Sequence, residues 1–225
     1  MSTRTRWWWI RHAPVTSTGG RIYGNSDPLA DCDDPETYGA LAQILPRNAV
    51  LVASHLQRTH QTADAIRNAG LELPEPIVEP DLAEQNFGEW QGRVRAEVYA
   101  ELPIKHTFWL TPAHSRAPGG ESFVDLMERV RKVIDRLNQE HLGRDIVAVT
   151  HGGTIRAAVA LALGLDPEAA LTCQIDNCSI TRIDHFGPTE SHPEGAWALF
   201  HMNQRPIHQP GVEPDRTAML ALLPR

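Results

Sequence analysis

An α/β fold with a mainly parallel sheet is what this chain predicts, and three observations carry the prediction. Short apolar runs rich in β-formers recur at 6–10, 49–53 and 145–150, without the polar alternation of a half-exposed strand. Stretches with helical periodicity separate them, the alternation that buries a parallel sheet between helices. Each run also ends on distinctive polar residues: Arg11-His12, Ser54 to Arg58, and His151-Gly152-Gly153. Ligands of open α/β sheets bind beyond the carboxyl ends of the strands, so a site is expected where those three ends meet.

In chain order, Arg6-Trp7-Trp8-Trp9-Ile10 is the first strand, covered on both faces, with its tryptophans as core packing. Pro14 and Gly19-Gly20 then mark a loop reaching to about Leu29. A short helix is expected over Thr37 to Leu45, where Leu41, Ile44 and Leu45 share one face. Ala49 to Ala53 is the second buried strand, and Ser54 is the expected N-cap of a helix that stops at Gly70. Ile77-Val78 reads as a shorter strand leading into the loop Asp81 to Gly92.

Pro103, Pro112 and Pro118 then interrupt helical stretches, which predicts a small lid inserted at roughly 90–120 in a single domain spanning 1–225. Phe123, Leu126, Val130, Val133, Ile134 and Leu137 give helical periodicity over Glu121 to Asn138. Asp145 to Thr150 is the next buried strand, followed by an Ala-rich helix from Thr154 to Leu163. Ser179 to Asp184 and Ala196 to His201 read as two last strands, paired with each other. From Pro206 the chain is Pro-rich and expected to be irregular.

Composition narrows the function classes. A formal net charge of -7 argues against nucleic acid or an anionic membrane as partner, although a cleft can still be positive inside. Cys32, Cys173 and Cys178 match neither zinc nor redox spacing, and His55 and His60 are poorly spaced to share a metal, so no metal and no cofactor are expected. Thr3 to Arg6 leads into only four apolar residues, and nothing approaches the roughly 18 of a membrane span, so a cytoplasmic location is expected. Oligomeric state is open.

The strand-end residues suit one chemistry. A phosphomonoester is a dianion that needs several fixed donors, and Arg11 and Arg58 offer planar forks that stay protonated. His12 can attack phosphorus through a neutral ring nitrogen, splitting hydrolysis into two easier displacements. His151 can donate to the phosphoryl oxygens, and the N–H groups of Gly152 and Gly153 open a helix and add anion stabilisation. The leaving oxygen needs a proton and the incoming water must lose one, a double task for one carboxyl group. Glu84 is the candidate, ahead of Glu79, Asp81 and Glu89.

In these stretches the sequence resembles the histidine phosphatase superfamily, also called the phosphoglycerate mutase-like family. The resemblance runs through Arg11-His12-Ala13, Arg21 to Leu29, Ser54 to Ala63, Leu82 to Gly92, Pro118 to Ser122, Thr150 to Gly153 and Asn203 to His208. It implies a three-layer α/β/α sandwich with a helical lid, His12 as phosphoacceptor, Arg11, Arg58 and His151 around the phosphate, and Glu84 as proton donor. It also places Arg21, Tyr23 and Gly24 in a loop facing the substrate.

Three departures bear on function. Ala13 replaces a common Gly, and Thr18 stands where an Asn is common, keeping a hydroxyl donor for the phosphate. Gln85-Asn86 replaces the Arg-rich stretch of mutases, which favours hydrolysis. The expected activity is therefore that of a metal-independent phosphatase acting on a small phosphorylated metabolite, similar to α-ribazole phosphatase-like and broad-specificity members. A cofactor-dependent phosphoglycerate mutase is the alternative, and a non-catalytic phosphate-binding protein is a further one.

Overall fold

Six strands form one sheet in the order β3-β2-β4-β1-β5-β6, where β1 is Arg4–Arg11, β2 Val50–Ala53, β3 Ile77–Val78, β4 Asp145–Thr150, β5 Ile180–Phe186 and β6 Ala196–Gln204. The computed structural model describes residues 3–207 except 17, 191 and 194; the irregular ending expected from Pro206, and His208 with it, lies outside the described residues from 208 on. β1, β2, β3 and β4 run parallel. β5 returns antiparallel to β1, and β6 pairs antiparallel with β5. The sheet is thus mixed, with the parallel part carrying the three polar strand ends on one edge.

Uniformly apolar strands still sort their side chains by the two-residue repeat. Trp7, Trp9, Val52, Ile146 and Ala148 face α4 (Phe123–Glu140), α5 (Gly152–Leu163) and α6 (Pro167–Leu171). Ile10, Leu51, Val147 and Val149 face α1 (Pro35–Ile44) and α2 (Gln57–Asn68). Helices therefore cover both faces, giving the three-layer sandwich. Trp7 and Trp9 stack with ring centroids 4.7 Å apart, and Trp7 Nε1 donates to buried Asn138 at 2.8 Å. Among the described residues no helix is long and apolar enough to cross a membrane.

Two local expectations change. Ser54 does not cap α2: the helix starts at Gln57 after Leu56, without a side-chain cap. The Ser54 hydroxyl instead sits against His151 Nε2 at 2.8 Å, a use that local capping preference does not anticipate. The helix begun near Glu121 is capped by Ser122, which accepts from Asp125 N–H while Asp125 accepts from Ser122 N–H. α6 was not anticipated, although Asp166 as N-cap and Pro167 at the first turn mark its start.

Between β3 and α4 the chain carries one short α-helix, α3 (Arg95–Glu101), two single 3-10 turns at Pro80–Leu82 and Gly88–Trp90, and further turns. Val98, Leu110 and Ala117 of this stretch bury a small core of their own with Ile22 and Phe87. Backbone hydrogen bonds weld it to the loop after β1: Ile22 N–H to Arg93 O at 2.9 Å, Gly92 N–H to Ile22 O at 2.7 Å, and Arg95 N–H to Gly20 O at 2.9 Å.

Candidate active site

β1 and β4 are adjacent and in register with Arg11 opposite Thr150, so His12 and His151 leave the sheet side by side. His12 N–H donates to Thr150 O at 2.8 Å, and the two imidazoles lie with centroids 5.1 Å apart. Both rings are buried. His12 Nδ1 meets the carbonyl of Ala13 at 2.6 Å, and a carbonyl only accepts. The proton of the neutral ring is therefore on Nδ1, and Nε2 carries the lone pair. Burial, followed by repulsion from Arg58 and Arg11, holds the His12 pKa well below the ordinary histidine value and keeps that lone pair free. Asn177 Nδ2 donates to His12 O at 2.7 Å and Ala13 N–H donates to Thr62 Oγ1 at 2.8 Å, fixing the backbone beneath the ring.

His151 titrates low for related reasons: burial first, then the neighbouring His12 and Arg58. When Ser54 donates to its Nε2, the proton of the neutral ring sits on Nδ1, which has no partner of its own among the described residues.

Two guanidinium groups reach the same space. Arg58, in the first turn of α2 and fully buried, gives Nη1 to Ser26 O at 2.6 Å and Nη2 to Gly24 O at 2.7 Å. Its guanidinium also lies 5.2 Å from the Tyr23 ring centroid. Arg11 gives Nη1 to Ile175 O at 2.6 Å. Carbonyls orient each fork without neutralising its charge, and among the described residues the Nε of each is left buried without an acceptor. Arg58 has a lowered pKa because of burial, an effect opposed by the nearby Glu84 charge.

Glu84 is the one carboxylate of its region that reaches this cluster. Glu79 pairs with Arg136 at 2.6 Å, and Asp81 and Glu89 are exposed. Glu84 Oε1 accepts from Gln85 N–H at 2.9 Å, and Gly153 N–H is shared between Oε1 at 3.1 Å and Oε2 at 3.2 Å, so Oε2 has the fewer donors. Arg129 braces the loop from behind: it binds Glu121 through Nε at 3.0 Å and Nη2 at 2.7 Å, and Nη2 also donates to Glu84 O at 3.2 Å. Glu121 in turn accepts from Asn86 N–H at 2.8 Å.

The remaining candidates divide. Gly152 lies against Arg11: a Cβ there would stand 3.5 Å from Arg11 Nε. Gly24 has φ +47°, and its carbonyl holds Arg58; a Cβ there would come within 2.7 Å of Gln85 O. Arg21 is exposed and donates to Gly92 O at 2.7 Å, tying its loop to the α3 segment. Thr18 closes the turn to Arg21 N–H through its carbonyl at 3.1 Å and has no hydrogen bond to the histidine and arginine cluster. Sequence reasoning missed Arg129, Asn177 and Arg156. A buried arginine inside the apolar helix α5 was a readable signal for Arg156; nothing local distinguishes Asn177 from other loop asparagines.

Read together, the geometry offers an unprotonated ring nitrogen, two oriented guanidinium groups, a second histidine and a carboxyl group in one buried cleft. Among the described residues no cluster of three or more His, Cys, Asp or Glu could hold a metal ion. The profile described as histidine phosphatase superfamily (branch 1) matches residues 7–192. A bifunctional protein of Mycobacterium tuberculosis is 31% identical over 207 residues, 90% of this chain and 54% of its own length. The chain thus spans about half the length of the first curated relatives it matches. A glucosyl-3-phosphoglycerate phosphatase of Mycolicibacterium vanbaalenii is 32% identical over 167 residues, 69% of this chain and 73% of its own. The solved structure of a mycobacterial glucosyl-3-phosphoglycerate phosphatase superposes with a TM-score of 0.74 at 26% identity, covering 89% of this chain and 99% of that one.

Proposed function

Because the chain belongs to branch 1 of the histidine phosphatase superfamily, we propose that it hydrolyses small phosphomonoesters through a phosphohistidine on His12, without a metal ion. The observation that carries this reading is a convergence of orphaned donors. Among the described residues, Arg11 Nε, Arg58 Nε and His151 Nδ1 are all buried without an acceptor, on the side chains that neighbour His12. Buried polar groups are otherwise almost always paired, and a phosphoryl group supplies the oxygens these lack.

In the first step His12 Nε2 attacks phosphorus while the bond from phosphorus to the ester oxygen breaks. Glu84, in its acid form, gives its proton to that departing oxygen, and the alcohol leaves. In the second step the Glu84 carboxylate takes a proton from water, the water oxygen attacks phosphorus, and the N–P bond breaks. Inorganic phosphate departs, and His12 and Glu84 return to their starting forms. The arginines and His151 hold the equatorial oxygens throughout, so most of the rate comes from placement and fixed positive charge. Residues 90–120 act as the lid over this cleft, within one domain. The small phosphorylated metabolites named for its relatives are the class of substrate we assign here, in a cytoplasmic setting.

The test is turnover of p-nitrophenyl phosphate in excess EDTA by the wild type and by His12→Ala. Chelator-resistant turnover that disappears in the variant, with an acid-labile phosphoryl group trapped on the wild type, is expected. Turnover lost to EDTA, or retained by His12→Ala, would overturn the reading.

A further inference from the structure

One charged group beside the cleft has no part in the chemistry above. Arg156 is nine-tenths buried in the second turn of α5, five residues after His151. Among the described residues its side chain makes neither a hydrogen bond nor a salt bridge, and its Nε is buried without an acceptor. An Nε lodged this way has lost water without gaining a hydrogen bond, a costly arrangement for a fold to keep.

A second guanidinium stands close by. Its Nη1 lies against Gly152, where a Cβ would stand 3.1 Å from it and 3.6 Å from Arg11 Cζ, so two guanidinium groups flank one α-carbon. Burial lowers its pKa to about 10; attraction to Glu84 is the largest opposing effect, and repulsion from Arg11 and Arg95 adds smaller pushes in the direction of burial.

What the structure does provide is orientation. Arg156 Cζ sits 4.8 Å from the Trp109 ring centroid, and Trp109 Nε1 donates to Gln85 Oε1 at 2.9 Å. Gln85 is itself held by Glu121 O, which its Nε2 meets at 2.9 Å. The planar fork is thus laid on an anchored indole with its N–H edge unused. Arg95, at the start of α3, is accessible from solvent and forms no salt bridge among the described residues.

We propose that Arg156 and Arg95 form a second anion subsite beside the phosphoryl pocket. The preferred substrates are then phosphomonoesters that carry another acidic group, a carboxylate or a second phosphoryl. This rests on the phosphomonoesterase reading and narrows its substrate class. It also revises what Gln85-Asn86 implies: positive charge missing from that loop is supplied from α5 and α3, and Gln85 positions the indole under Arg156.

The decisive comparison uses 3-phosphoglycerate and glycerol 3-phosphate, which differ only in a carboxylate against a hydroxymethyl group. Both kcat/KM in the wild type and binding to His12→Ala by calorimetry are measured, so the result does not depend on turnover. One charge-assisted contact corresponds to a preference of about ten- to hundred-fold for 3-phosphoglycerate. Arg156→Gln should reduce that ratio to within about three-fold of unity, and Arg95→Gln, at an accessible side chain, should reduce it in part. A higher ratio still for 2,3-bisphosphoglycerate would assign the subsite to a phosphoryl group rather than a carboxylate. Equal handling of the matched pair by the wild type, or a preference that survives both substitutions, overturns the subsite. Failure to release phosphate from p-nitrophenyl phosphate and from both metabolites would instead sink the phosphatase reading, with the binding ratio still judging the subsite.

Discussion

Replacing Gly153 by alanine would set a methyl group almost on top of Glu84. The new Cβ would lie 2.2 Å from Glu84 Oε1, 3.3 Å from its Cδ and 3.1 Å from Leu126 Cδ2. Ordinary contacts begin near 3.4 Å, so the carboxyl group must retreat by more than about 1 Å. It cannot retreat freely, because Arg129 and Glu121 fix the backbone of its loop. A displacement of about 1 Å at a reacting group costs roughly a hundred-fold in rate. Loss of the acceptor also orphans the Gly153 N–H, a penalty of about 1–3 kcal/mol of stability.

The assay is kcat/KM on an alkyl phosphate and on p-nitrophenyl phosphate, with the melting temperature recorded beside it. An alkoxide cannot leave without a proton, whereas p-nitrophenolate can, so the alkyl ester should lose about a hundred-fold and the aryl ester much less. Gly152→Ala is the comparison: its Cβ would meet Arg156 Nη1 at 3.1 Å and Arg11 Nε at 3.5 Å rather than Glu84, so any loss should fall on both esters alike. Wild-type turnover of the alkyl phosphate by a folded Gly153→Ala protein would refute Glu84 as the proton donor in this position.

Other outcomes follow from the same contacts. Because His12 titrates well below 6.5, kcat/KM corrected for substrate ionisation should hold steady as pH falls through 6.5; a one-proton loss centred there would contradict the burial argument. His12, His151 and His201, the last at about 4, all have folded-state pKa values below the unfolded one. Below about pH 6.5 the unfolded chain thus binds protons the fold refuses, and stability in urea should decline on acidification by about 1.4 kcal/mol per pH unit for each such proton. Constant stability between pH 7 and 5 would count against it. Arg129→Met should free Glu121 and slacken the Glu84 loop, lowering kcat roughly ten-fold with a smaller effect on KM; an unchanged kcat would assign Arg129 to stability alone. Trp7→Phe strands the buried Asn138 amide oxygen and should cost about 1–3 kcal/mol in urea denaturation.

The parallel half of the sheet was legible because its strands are buried on both faces and so are apolar throughout. Their ends were legible too, since charged residues following such runs have only the edge of the sheet to occupy. Arg11, His12, Arg58, Glu84 and His151 do meet in one cleft. What could not be read was contact between segments distant in sequence. Ser54 suits an N-cap by local preference, yet a histidine 97 positions later takes its hydroxyl. Gly24 was expected in a loop facing substrate, and nothing in the sequence showed that its carbonyl also holds Arg58. Arg156 was visible as a charge in an Ala-rich helix, but its setting depends on Trp109 and Arg11, which no periodicity places.

The hydrogen bonds that join residues 20–24 to residues 91–95 have a consequence for anyone wishing to redesign this protein. The same loop that is stitched to the base of α3 presents Gly24 O to Arg58, so the segment over the cleft and a guanidinium within it share one short piece of backbone. A graft that exchanged residues 90–120 for those of a relative would import more than a new rim. It would reset the angle of an arginine on another helix. Specificity and competence here are not separable modules, and an exchange would have to carry residues 20–24 with it.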